Sequence, residues 1–185
     1  MKKVAIILDL GFVLHKLYAL VGKRTPTADE VHAYASKCVK DGEEIFRIYC
    51  YHCLPYGQEE LHPLTKKKID FSKTSTYLSM APLMAELKLK DNIAFRAGEL
   101  SFDGWRIKPT SVQNIFRTGR ALIDSDVSPD LKQKGVDMKI GLDVAWLASK
   151  SIVEKIIIVS ADSDLIPAMK FARREGVQVV LVTMG

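Results

Sequence analysis

The stretch IIIVSADSDLIPAMKFARREGVQVVLV, residues 156–182, decides the fold. Its first four residues, Ile156–Val159, are a short apolar run, which reads as a buried parallel strand. Asp162 and Asp164 follow, one residue apart, and a helical pattern with Pro167 in its first turn begins at once. Gly176 stands where that helix must end, and Val177–Val182 reads as a last strand. A strand at 155–160, a helix at 164–175 and a strand at 177–182 make one unit of a parallel sheet. Such a last strand is often followed by one more helix, so the sequence is expected to be truncated at its C-terminus.

The same alternation runs back to the N-terminus. Val136–Lys150 reads as a helix with Ile140, Val144 and Leu147 as its apolar stripe. Residues 124–135, DSDVSPDLKQKG, read as a polar connector, and Pro109–Leu122 as a short helix. Residues 92–108 read as one strand, or as a strand with a hairpin turned at Asp103-Gly104. Ser72–Lys90 reads as a helix kinked or broken at Pro82. Residues 54–72, with two prolines and the triplet Lys66–Lys68, read as a loop. Residues 44–53, EIFRIYCYHC, are β-branched and aromatic, hence a strand. Thr27 and Glu30 form a capping box for a helix expected to close at Gly42. Phe12–Leu20 is helical in pattern, and Val4–Leu8 is a buried strand ending at Asp9. The whole is an α/β fold with a parallel sheet, expected to be a single domain over 1–185.

Composition bounds the class. A chain of 185 residues, 48% apolar and 26% charged, has the make-up of a soluble globular domain. No apolar run reaches the ~18 residues of a membrane span, and the run after Lys2-Lys3 meets Asp9 too soon for a signal peptide. Three cysteines argue against a disulfide framework and suit a reducing compartment, so a cytoplasmic location is expected, with no membrane partner. The net charge of +5 is a weak pointer to polyanions.

Chemistry concentrates in the carboxylates. In open α/β sheets, ligands collect at the carboxyl ends of the strands, where Asp9, Asp162 and Asp164 fall. Asp164 also suits the N-cap of the following helix. Asp143 sits beside Val144 on the apolar stripe, where a carboxylate is costly unless paired or bound to a cation. Asp137 lies six residues earlier, ~240° around a regular helix, so it serves only at or just before the helix start, where an N-cap is its ordinary role. Carboxylates that meet raise one another's pKa and oppose folding. A shared pocket therefore implies a hard cation, Mg²⁺ or Mn²⁺, in an all-oxygen site.

Three segments, VAIILD (4–9), KGVDMKIGLDVAWLA (134–148) and the stretch quoted first, resemble the NYN group of the PIN-like nuclease superfamily, including LabA-like proteins. The resemblance covers the start of the chain and its C-terminal third. It implies a Rossmann-like three-layer sandwich with a mainly parallel central sheet. It also implies a divalent-metal-dependent endoribonuclease, a hydrolase whose products carry 5′-phosphate and 3′-hydroxyl ends. On these matches Asp9, Asp143 and Asp162 are the expected catalytic residues. Asp9, Asp137, Asp143, Asp162 and Asp164 are the expected metal ligands, with Ser160 in support. Many relatives carry Asn three residues after the first aspartate, where this chain has Phe12.

An acidic pocket repels RNA, so basic residues must surround it. Lys132, Lys134 and Arg96 are the candidates for holding single-stranded RNA, the first two on an expected mobile loop. A homo-oligomer is a further expectation. CYHC, residues 50–53, places Cys50 and His52 on one side of a strand and Cys53 on the other, a poor metal geometry. One alternative is a non-catalytic module of the same fold that binds RNA or a protein, and Phe12 favours it. Another, a phosphotransfer enzyme, needs an aspartate where Gly11 stands.

Overall fold

Burial on both faces over Val4–Leu8 places β1 (Lys2–Asp9) in the middle of a sheet. The computed structural model describes residues 1–184. β1 pairs in parallel with β2 (Glu43–Cys53) on one side and β7 (Lys155–Val159) on the other. The six-stranded sheet runs β6-β5-β2-β1-β7-β8, with β5 (Ile93–Ile107), β6 (Val127–Lys134) and β8 (Gln178–Val182). Every pairing is parallel except β5 with β6.

Period-two alternation sends successive strand residues to opposite faces. Val4, Ile6, Leu8, Ile48, Cys50 and Ile157 face α1 (Leu10–Leu20), α2 (Ala28–Ser36) and α3 (Ser75–Leu87). Ala5, Ile7, Tyr49, Tyr51, Ile156 and Ile158 face α5 (Val136–Ser149) and α6 (Ile166–Arg174). The result is a three-layer sandwich, α/β/α, as expected. α4 (Pro109–Thr118) contributes no buried residue. Among the described residues, no helix is long and apolar enough to cross a membrane.

Four local readings change, and a fifth, the single strand over 92–108, is decided against its hairpin alternative. Residues 124–135 form a 3₁₀ turn and the edge strand β6, not a connector. A strand largely open to water needs no apolar run, and an edge tolerates Pro129. Residues 54–72 contain a small antiparallel pair, β3 (Glu59–Leu61) and β4 (Lys68–Asp70), too short to show a period. Asp103-Gly104 makes no hairpin. β5 passes through it with a register shift between Phe102 and Trp105, and Gly104 takes φ +101°. α2 ends at Ser36, well before Gly42, because the last amides turn to tighter partners, Cys38 N donating to Ala35 O. α3 runs on through Pro82, with Leu83, Met84 and Leu87 beyond it buried against the sheet. Their burial offsets the ~3 kcal/mol that an interior proline costs.

Candidate metal centre

β1 and β7 lie side by side in parallel, Leu8 beside Val159, so both release their chains at the same end of the sheet. The chain leaves β1 for β2 on one side and comes back to β7 on the other. This is the crevice where open α/β sheets take ligands.

Asp9 closes β1. Its Oδ1 accepts from the Phe12 amide at 3.3 Å, capping α1, and its Oδ2 accepts from the Ser160 hydroxyl at 3.1 Å. Ser160 is fully buried and its Oγ accepts from the Asp162 amide at 3.1 Å. Asp162 Oδ1 in turn accepts from the Asp164 amide at 2.9 Å. Asp162, not Asp164, is thus the capping residue, because the chain opens with a 3₁₀ turn, Ser163–Leu165, ahead of α6. Ser160 and the two caps knit the ends of β1 and β7 into one hydrogen-bonded chain.

Asp137 arrives from a third segment. Gly135 at φ 79° starts α5 with no side-chain cap, so Asp137 is not an N-cap but sits inside the first turn. The surrounding chain displaces water and pushes its carboxyl above the usual carboxylate range. Asp162, Asp9 and Asp164 push it the same way. Asp137 lies open at the rim of the crevice, so the water it loses is on its inner side. None of the four carboxylates takes part in an ion pair among the described residues.

Asp143 stands apart, ~9 Å further along the helix. Its Oδ2 accepts from the Tyr51 hydroxyl at 2.7 Å and from Arg96 Nε at 3.0 Å. Tyr51 is fully buried, and that burial, with this bond after it, drives its phenol far above the usual range. The carboxylate on the apolar stripe is therefore paired, and it joins the other four only if Arg96 gives way. Arg96 also lies 5.4 Å from the Tyr49 ring, which makes it a partner of Asp143 more than a free hand for phosphate. Lys132 and Lys134 lie on β6 rather than on a mobile loop. Lys132 pairs with Asp103 at 2.7 Å, and Lys134 is exposed.

One neighbour, His52, was set aside in the sequence with the rest of the CYHC stretch. A Cβ on Gly11 would lie 3.4 Å from Asp9 Oδ1 and 3.8 Å from His52 Cε1. His52 thus lies beside Gly11 and near Asp9, with its pKa lowered by burial against the opposing pull of Asp9. The strand-end argument that selected Asp9 would have selected His52, since β2 ends beside β1.

Among the described residues, no three His, Cys, Asp or Glu side chains are already close enough to share one ion. The donor chemistry nonetheless fits a hard cation: carboxylate oxygens from three segments, in surplus and without cationic partners.

A six-stranded, mainly parallel sheet between two helical layers, with carboxylates at the β1/β7 strand ends, is an open α/β fold with its acidic groups in the ligand-binding crevice. The NYN domain family matches residues 109–185, from α4 to the end of the chain. A protein of unknown function from Vibrio parahaemolyticus is similar in structure, with a TM-score of 0.48 and 14% identity over 97% of this chain and 80% of that one. No curated protein matches the chain.

Proposed function

We propose that the chain is an NYN-type, divalent-metal-dependent ribonuclease that hydrolyses single-stranded RNA internally. One observation carries the reading: Asp9, Asp137, Asp162 and Asp164 gather from three segments at one end of the sheet, and none of them has an ion-pair partner among the described residues. Such an arrangement is costly unless something positive binds there.

Asp9, Asp137 and Asp162 would hold Mg²⁺ or Mn²⁺, with Asp164 completing the acidic wall. A bound ion supplies an activated water and neutralises charge developing on the phosphate. Ser160 fixes the Asp9 carboxylate by its 3.1 Å bond and holds the Asp162 amide with the same oxygen. Asp143 keeps Tyr51 and Arg96 in place under α5. Released from Asp143, Arg96 would meet a phosphate oxygen by its planar fork.

Phe12 favours the second reading, a non-catalytic RNA-binding module. It offers the crevice a backbone amide and a phenyl ring, 5.6 Å from the Lys16 ammonium, in place of a polar side chain. Incubation with single-stranded RNA, with Mn²⁺ or with EDTA, separates the two. The nuclease reading requires cleavage that needs Mn²⁺ and falls at least a hundredfold in Asp162→Asn. RNA bound but uncut by the wild-type chain in Mn²⁺ is the outcome of the second reading.

A further inference from the structure

Two hollows open beside the acidic end of the sheet. One, of about 350 Å³, lies between the segment Leu54–Gln58 and the stretch Gly98–Leu100 of β5. The other, of about 260 Å³, is walled by Tyr56, Phe71, Thr74, Thr76, Tyr77 and Leu131. They share Pro55, Tyr56 and Leu100 as walls, so the two hollows adjoin along one groove-shaped surface. The first lies just inside the ~300–1,000 Å³ of small-ligand sites and the second just below it.

The inner end of the groove adjoins the candidate metal centre. At Gly98 a Cβ would lie 2.6 Å from Val136 Cγ2 and 2.8 Å from Cys53 Sγ, and Val136 immediately precedes Asp137. The outer end is aromatic and held in place. The Tyr77 ring rests on bare backbone, where a Cβ at Gly57 would meet it at 2.6 Å. Tyr56 packs edge-on against Phe71 at 5.4 Å and stacked on Phe102 at 5.9 Å, with its hydroxyl donating to Glu60. Rings fixed in this way lose little freedom when a flat ligand stacks on them.

The polar lining selects among flat ligands. Thr76 and Gln58 offer donors and acceptors, and Glu99 offers a carboxylate. A carboxylate repels a phosphate but accepts hydrogen bonds from the amino edge of a base. Lys134, exposed and opposite Glu99 on β6, is placed for the backbone outside the groove. The geometry points to this groove as the seat of an unpaired nucleobase, displaced along the strand from the phosphate at the acidic pocket. The choice of RNA as the ligand rests on the nuclease reading above. The groove also gives a physical reason for single strands, because a paired base cannot leave its stack to enter it.

The test uses a fluorescein-labelled single-stranded oligoadenylate in EDTA, where no cleavage occurs, with anisotropy as the readout. Tyr77→Ala removes the stacking ring, and Thr76→Trp fills the groove from an exposed position without disturbing the core. Both are expected to bind about tenfold more weakly than wild type, and Tyr77→Phe to bind equally well. Hydrolysis of bis(p-nitrophenyl) phosphate with Mn²⁺, too short a substrate to reach the groove, is expected to be unchanged in all three. Wild-type affinity in both Tyr77→Ala and Thr76→Trp overturns the proposal, and is the outcome if the groove takes a protein segment instead. Tenfold weaker binding in a chain that cuts neither substrate leaves the groove standing and removes the nuclease.

Discussion

Lys155 carries an ammonium group into a place with almost no water: it is 4% exposed, at the amino end of β7. Its Nζ donates to both carboxylate oxygens of Glu43, at 2.8 and 3.0 Å, across the top of β1, which separates their two strands. Glu43 also accepts from the Lys40 amide at 3.0 Å. The Lys155 hydrogen bond, and after it the Lys40 amide, hold the Glu43 carboxyl below the usual carboxylate range. Removing one partner of a buried pair strands the other, which costs roughly 3–5 kcal/mol. Glu43→Ala, which leaves the better-buried lysine alone, should reach the lower part of that range in urea unfolding. The double variant Glu43→Leu/Lys155→Met, apolar at both positions, should recover most of the loss. Because folding lowers the Glu43 pKa, the pair's contribution is fully present above the unfolded carboxylate value. It fades as pH falls through the folded one. The gap in unfolding free energy between wild type and Glu43→Ala should accordingly narrow in acid and stay constant near neutral pH; a gap that widened in acid would refute the pairing.

At the scale of elements, one contact decides where α5 delivers Asp137. Gly98 on β5 meets Val136 so closely that any Cβ would sit 2.6 Å from its Cγ2 and 3.0 Å from the Lys134 carbonyl oxygen. The valine methyl can turn aside, but the carbonyl belongs to backbone and cannot yield without moving the start of the helix. Gly98→Ala should therefore cost about 1–3 kcal/mol in chemical denaturation. It should also shift Asp137 away from Asp9 and Asp162, so any stabilisation by Mn²⁺ should shrink more than the stability itself. The elements differ in how far sequence betrayed them. β1 and β7 were legible because strands covered on both faces must be apolar throughout. β6 was not, since an edge strand made of Ser128, Pro129, Asp130 and Lys132 has the composition of a loop, and its partner supplies the order. The β3–β4 pair is bracketed by Tyr56 and Phe71, whose rings meet each other and Phe102, residues distant in sequence whose meeting no local pattern announces.

The whole molecule places its charge unevenly. A chain of net charge +5 brings Asp9, Asp137, Asp162 and Asp164 to one end of the sheet and seals the other end with Lys155 and Glu43. The strand-end carboxylates could be named from sequence because the parallel α/β rule fixes which end of a strand faces the crevice. Their division of labour could not, because it depends on contacts made across elements. Tyr51 and Arg96 take up Asp143, and a 3₁₀ turn moves the cap from Asp164 to Asp162. Metal linkage reads that division directly. A ligand at a hundred times its dissociation constant stabilises by ~2.7 kcal/mol, which for a chain of this size is a rise in melting temperature of roughly 5–10 °C. Mn²⁺ should produce such a rise in the wild-type chain and none in Asp162→Asn. Asp162→Asn or Asp137→Asn in EDTA should melt no lower than wild type, because mutual repulsion among the carboxylates is relieved. Asp143→Asn is the discriminating variant, since its charge is already met by Arg96 at 3.0 Å. It should keep the full Mn²⁺ shift. Loss of the shift in Asp143→Asn, equal to that in Asp162→Asn, would mean that Arg96 yields on metal binding and that Asp143 is a ligand after all.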